Sequence, residues 1–314
     1  MEWCSAKPDA CAGLDSANVP SGGEATGAGA LPLQMLFHGD RLPRGTFPVH
    51  SRFRRCVNFA CAHGLVSVVD ATVGAGPFNI VLTTLPHDPP WRALTISHTE
   101  AHLGGHVLMR TAECQYDSSF RPPAQASPGN LWSSVERLEA TVLAEAPAES
   151  LAFLLALDQP GRRDAFRTSF ERAFAERMIE VVNLLRAGYV DQAVARGRGV
   201  GPGLTPSGDD FASGLLVASH VVEACAAHAR RDVAADREQV LRGGLGESPF
   251  SNTFLGAAAR GWLNAPLADL ARALCVDDGA GLDSATRRLM RVGETSGADT
   301  AVGVVVGIKF WLDV

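Results

Sequence analysis

The hydrophobic pattern changes period once along the chain. Between residue 47 and about 114, apolar positions fall in short runs at 65–69, 78–84, 93–96 and 106–109, separated by turn clusters at 74–77 and 86–90. Short runs of this composition bounded by Gly and Pro predict strands, arranged as an antiparallel sheet or a small barrel. Beyond Pro128 the spacing becomes helical, with apolar stripes among Glu, Arg and Ala at 131–145 and 162–187. Further helices are expected at 209–231, 249–263, 266–274, 283–293 and 297–312, and Ser248-Pro249 fits an N-cap followed by proline at the first helical position. The expected class is α+β: a disordered tail over 1–30, a β-rich region over 31–125, and a helical region over 126–314.

One stretch departs from ordinary packing. Residues 199–211 read Gly-Val-Gly-Pro-Gly-Leu-Thr-Pro-Ser-Gly-Asp-Asp-Phe and lead into an apolar, small-residue run. Gly199, Gly201 and Gly203 permit positive φ and close backbone approach, while Pro202 and Pro206 stiffen the path between them. The same helix start returns near the C-terminus. Ser207, Asp210 and Gly214 reappear as Ser296, Asp299 and Gly303, each displaced by 89 residues. Each copy fits a Ser N-cap with a carboxylate at the third helical position. Two helix N-termini aimed at one point would offer backbone N–H groups to an anion, with Thr205, Ser207, Ser296 and Thr300 as neutral donors.

Composition narrows the function classes. With 314 residues, 46% hydrophobic content and a net charge of −6, the chain reads as globular and large enough for two layers or two domains. It has no basic run with interleaved aromatics, so a nucleic-acid partner is not expected. No apolar stretch has the roughly 18 residues that a membrane span needs, and a cytoplasmic location is the default expectation. The seven cysteines are odd in number and scattered, without a Cys-x-x-Cys pair. They read as buried free thiols rather than a disulfide framework or a zinc site.

The string at 199–211 resembles the AllH-like family, described as subunits of oxamate carbamoyltransferase in ureide breakdown. Supporting stretches are 49–53, 57–59, 64–66, Gly76-Pro77, 251–261 and 293–303, so the resemblance extends from about 45 to 312; Val200 stands where a leucine is expected. It implies transfer of a carbamoyl group between oxalurate and phosphate, giving oxamate and carbamoyl phosphate, in a complex with partner subunits. Both substrates are small anions, and the resemblance carries no catalytic assignment. A shorter likeness sets Ser296-Gly-Ala-Asp-Thr300 beside the Asp-Thr metal motif of ADP-ribosylglycohydrolases, which implies a magnesium-dependent hydrolase. A non-catalytic scaffold subunit is the third reading.

From the chemistry of the residues, Asp210 and Asp299 take the catalytic positions, orienting an amide nitrogen or a cation. The expected substrate-binding set is Gly201, Gly203, Leu204, Thr205, Ser207, Gly208, Asp209, Ser296, Gly297, Thr300 and Asn252, with backbone donors of 203–210 acting as an oxyanion hole. First-turn capping explains Asp209 and Asp210 equally well. No cofactor is assigned; a cation held by oxygen ligands alone would be magnesium. His98, His102 and His106 share four-residue spacing but read as solvated or hydrogen-bonded, and Arg52, Arg54, Asn58 and Thr253 are weaker ligand contacts.

Overall fold

The computed structural model describes residues 33–312, apart from 63, 127–129, 160, 162, 204, 226–228, 230 and 277. The tail expected over 1–30 and the site residue Leu204 lie outside the described residues, as do Cys4 and Cys11. The α+β order holds. A curled nine-stranded sheet comes first, made of β1 (Met35–Gly39), β2 (Gly45–Phe53), β3 (Cys56–Cys61), β4 (Gly64–Asp70), β5 (Asn79–Leu82), β6 (Ala93–Ile96), β7 (Glu100–Leu103), β8 (His106–Met109) and β9 (Gln115–Tyr116). Its order is β8-β7-β6-β2-β3-β4-β5-β1-β9.

The sheet is mixed rather than purely antiparallel, because β4 pairs β5 in parallel and β1 pairs β9 in parallel. The first of these needs only a short crossover. Ser67 faces Asn79, so the chain leaving β4 at Asp70 steps back about 10 Å, a distance that the turns around Gly74 and Gly76-Pro77 span. Strand β2 turns the sheet. Its first half, to Pro48, pairs β6, and its second half, from Val49, pairs β3, so the residue without an N–H sits at the change of partner.

The helical part contains α1 (Leu131–Glu145), α2 (Ser169–Arg186), α3 (Val190–Gly197), α4 (Ser207–Cys225), α5 (Val233–Gly244), α6 (Pro249–Ala259), α7 (Ala265–Leu274), α8 (Gly279–Met290) and α9 (Ser296–Leu312). The stretch expected as one helix over 209–231 ends at Cys225, and a separate α5 follows, capped by the Asp232 side chain on Ala235 N–H. Helix α2 starts at Ser169 instead of 162, because Thr168 and Glu171 form a reciprocal capping box there.

Helices α4 and α9 are almost wholly buried and cross at the centre of the bundle. A Cβ on Gly214 would stand 2.2 Å from the Thr300 carbonyl oxygen, and one on Gly303 would stand 2.1 Å from that of Phe211. Phe211 and Thr300 are themselves 89 residues apart, so the sequence repeat is a local two-fold: each helix lays a glycine on the other's backbone. Cys225, at the end of α4, is bonded to Cys275, which caps α7, with their Cα atoms 5.8 Å apart. This corrects the expectation of free thiols throughout. The two partners are 50 residues apart and meet only through helix packing, while Cys56, Cys61 and Cys114 are free.

Candidate functional site

The loop before α4 follows from its glycines. Gly199, Gly201 and Gly203 all have positive φ, and a Cβ on Gly201 would press to 2.7 Å from the Ser207 backbone nitrogen. Asp209 is 4% exposed and accepts the Gly199 N–H at 2.9 Å, which ties the loop to the first helical turn. Gly208 packs by necessity, since a Cβ there would meet the Gly197 carbonyl oxygen at 1.9 Å; Gly297 meets that of Leu289 at the same 1.9 Å.

Several of the backbone N–H groups expected to face an anion are used inside the protein. Gly208 N–H donates to Val200 O, those of Asp209 and Asp210 to Pro206 O, Gly297 N–H to Val292 O and Asp299 N–H to Thr295 O. Of the backbone donors expected over 203–210, those of Gly208, Asp209 and Asp210 are therefore committed within the protein.

The side chains interlock across the two-fold. The Ser296 hydroxyl, at the start of α9, serves the Asp210 carboxyl on α4, and the Ser207 hydroxyl, at the start of α4, serves Asp299 on α9. The two halves then differ. Asp299 is fully buried and its Oδ1 accepts the Leu151 N–H at 2.7 Å, from the short 3-10 helix Leu151–Leu155. Burial pushes its carboxyl up to about 6, against the opposing pull of the Leu151 N–H and the Ser207 and Thr295 hydroxyls.

Asp210 instead lines a cleft of about 380 Å³ between the helix starts and the sheet. Its Oδ2 is buried and has no hydrogen-bond partner among the described residues. Burial holds this carboxyl well above the usual carboxylate range, the nearby Asp299 and Asp209 add to that, and the Ser296 and Thr205 hydroxyls oppose it. Thr205 Oγ1 and Ser296 Oγ lie 3.3 Å apart, and Thr300 donates back to the Ser296 carbonyl at 2.8 Å.

Of the residues singled out in the sequence, the cleft gathers Thr205, Asp210, Ser296, Gly297 and Thr300. Gly201, Gly203, Ser207, Gly208 and Asp299 are not on its lining. Asp209 and Asn252 border a separate depression beside Arg198, where the Asn252 side chain holds Gly246 N–H at 2.9 Å and Gly246 O at 2.8 Å. His102 pairs with Glu100 at 2.9 Å on β7, and His106 lies on β8, so the four-residue spacing does not place these histidines on one helix face. Arg52 donates to the Pro89 and Trp91 carbonyls and borders no cleft described here.

The opposite wall escaped sequence reasoning apart from Asn58. There Asn58 Oδ1 accepts the Ser67 hydroxyl at 2.7 Å and the Cys56 thiol at 2.9 Å, while its Nδ2 donates to Ser51 Oγ at 3.1 Å. These residues lie on β2, β3 and β4 and meet only through strand pairing. Burial pushes the Cys56 thiol up to about 11, so it is a donor rather than a nucleophile. Between the polar walls the lining is apolar, led by Phe250, Phe254 and Trp262. No Lys, Arg or His lines the cleft among the described residues; Arg41 and Arg260 instead stack on the Trp262 ring, 4.2 and 5.3 Å from its centroid.

Fold and site together define an α+β protein that places a carboxyl, its pKa raised by burial, at the floor of a largely apolar cleft. A family model described as oxamate carbamoyltransferase subunit AllH matches residues 198–308, from the glycine-rich loop into α9 and a little over a third of the chain. No solved structure matches the chain. Among the described residues no group of three or more His, Cys, Asp or Glu side chains is gathered to hold a metal, and no helix is long and apolar enough to cross a membrane.

Proposed function

We propose that the chain is a carbamoyltransferase subunit that holds the carbamoyl group of its substrate at Asp210. The observation that carries this reading is that Asp210, with a buried Oδ2 that has no partner among the described residues, lines a cleft whose floor falls within the matched segment. A buried carboxyl without a partner is costly unless a ligand completes it. A ureide offers the complement: N–H groups for the carboxyl oxygen and a carbonyl oxygen for the Thr205 or Ser296 hydroxyl.

In the family's form of the reaction, a phosphate oxygen attacks the carbamoyl carbon of oxalurate. The bond from that carbon to the oxamate nitrogen breaks, and the leaving nitrogen takes up one proton. Asp210, whose pKa burial raises, passes its proton to that nitrogen and takes up the proton that the attacking phosphate releases, so the acid is restored. Phosphate finds no cation on the cleft wall, which favours a partner subunit bringing the positive charge. The hydrolase reading finds no ligand cluster to rest on among the described residues.

Isothermal titration of the isolated chain with oxalurate, oxamate and carbamoyl phosphate tests this, with Asp210→Asn in parallel. Saturable binding of a carbamoyl compound that the Asn variant loses supports the reading. Equal binding by both proteins rules out Asp210 as the carbamoyl contact.

A further inference from the structure

The lining of the cleft asks for more than a small anion. About 380 Å³ walled by four aromatic residues together with leucines and valines matches a ligand carrying an apolar body. Oxalurate has no apolar group, and a doubly charged partner would find no counter-charge there. The one ionisable oxygen acid on the wall, Asp210, adds negative rather than positive charge when it ionises.

The far wall adds a second constraint. Asn58 is 6% exposed, and two donors on its Oδ1 fix which way its amide is turned. One Nδ2 hydrogen goes to Ser51 and the other has no partner among the described residues, so the sheet offers a neutral N–H donor across the cleft from Asp210. A matching ligand has a polar group at each end and an apolar portion between or beside them. The family match begins at residue 198, so this sheet wall lies outside it.

Resting on the reading that Asp210 holds the carbamoyl group, we propose that the cleft selects N-carbamoyl compounds with a sizeable apolar substituent, such as N-carbamoyl derivatives of branched or aromatic amino acids, over oxalurate. The carbamoyl end sits at Asp210, Thr205 and Ser296. The apolar substituent packs on Phe250, Phe254 and Trp262, and the carboxylate meets the Asn58 amide.

The test is a calorimetric series on the full chain with oxalurate, N-carbamoylglycine, N-carbamoylleucine and N-carbamoylphenylalanine. Burying the leucine side chain predicts a Kd about tenfold to a hundredfold lower than for N-carbamoylglycine. Phe254→Ala, at the partly exposed mouth of the cleft, shrinks that ratio severalfold. Asp210→Asn weakens every member of the series.

Oxalurate binding as tightly as N-carbamoylleucine, with Asp210→Asn abolishing both, overturns the proposed selectivity and leaves the Asp210 reading intact. Tight N-carbamoylleucine binding that survives Asp210→Asn unchanged overturns the Asp210 reading itself, and the proposal with it. Absence of binding by every member overturns the proposal as well.

Discussion

At the scale of single residues, the two repeat carboxyls have opposite fates. Asp299 is closed inside the bundle, where its Oδ1 takes the Leu151 N–H and its Oδ2 has no partner among the described residues, whereas Asp210 lines the cleft. Asp210→Asn removes a group whose ionised form burial disfavours, so the Tm at pH 7 holds or rises while ligand binding is lost. A lower Tm with binding retained would mean that Asp210 only caps its helix. Asp299 sets a pH dependence. Its folded value of about 6 exceeds the ordinary 3.8, so the folded chain holds that proton more tightly than the unfolded one. Its contribution is fully present below about 4 and is lost as pH rises through about 6, a change of about 3 kcal/mol. Urea unfolding at pH 4, 5, 6 and 7 checks this, and Asp299→Asn flattens that part of the profile. The carboxyls held low by partners, Asp117, Glu145, Glu171 and Asp283, act in the opposite sense, on the acid side of the ordinary carboxylate range.

At the scale of elements, the α4–α9 crossing depends on contact between backbones. Gly303→Ala would force a Cβ onto the Phe211 carbonyl, and a shift of either helix disturbs the Asp210–Ser296 pairing; we expect a loss of about 3 kcal/mol in denaturant unfolding together with weaker ligand binding. The disulfide between the ends of α4 and α7 closes a loop of 50 residues, so reduction or Cys275→Ser lowers stability by about 4 kcal/mol, seen as an earlier denaturant midpoint. The starts of α4 and α9 were legible in the sequence because Pro, Gly, Ser and Asp each bias the backbone within a few residues. What depends on distant pairing was not. Strand β1 and the parallel β4–β5 step leave no local trace, and Asn58 and Ser67 acquire their shared role only when β3 pairs β4 in register. The arginines before Thr168 look helical by composition, yet the capping box decides where α2 begins.

At the scale of the whole molecule, the cleft belongs to neither half alone. The helices give its floor and the sheet gives its far wall. Its electrostatics are also those of the whole chain, which carries −6 overall and places no cation on the cleft lining among the described residues. An anionic ligand therefore enters against a weak repulsive field, and raising salt from low to physiological strength leaves its Kd unchanged or slightly lower. A Kd that rises steeply with salt would point to a cationic contact that this lining does not contain. The crossing of glycines has a consequence for how such a protein changes over generations. The crossing that positions the floor of the cleft is a contact of main chains, which substitution cannot reshape by degrees, while the sheet side is built of ordinary side chains open to exchange. New substrate preferences in this lineage would then be written on the strands, and the paired helix starts would be inherited nearly unaltered.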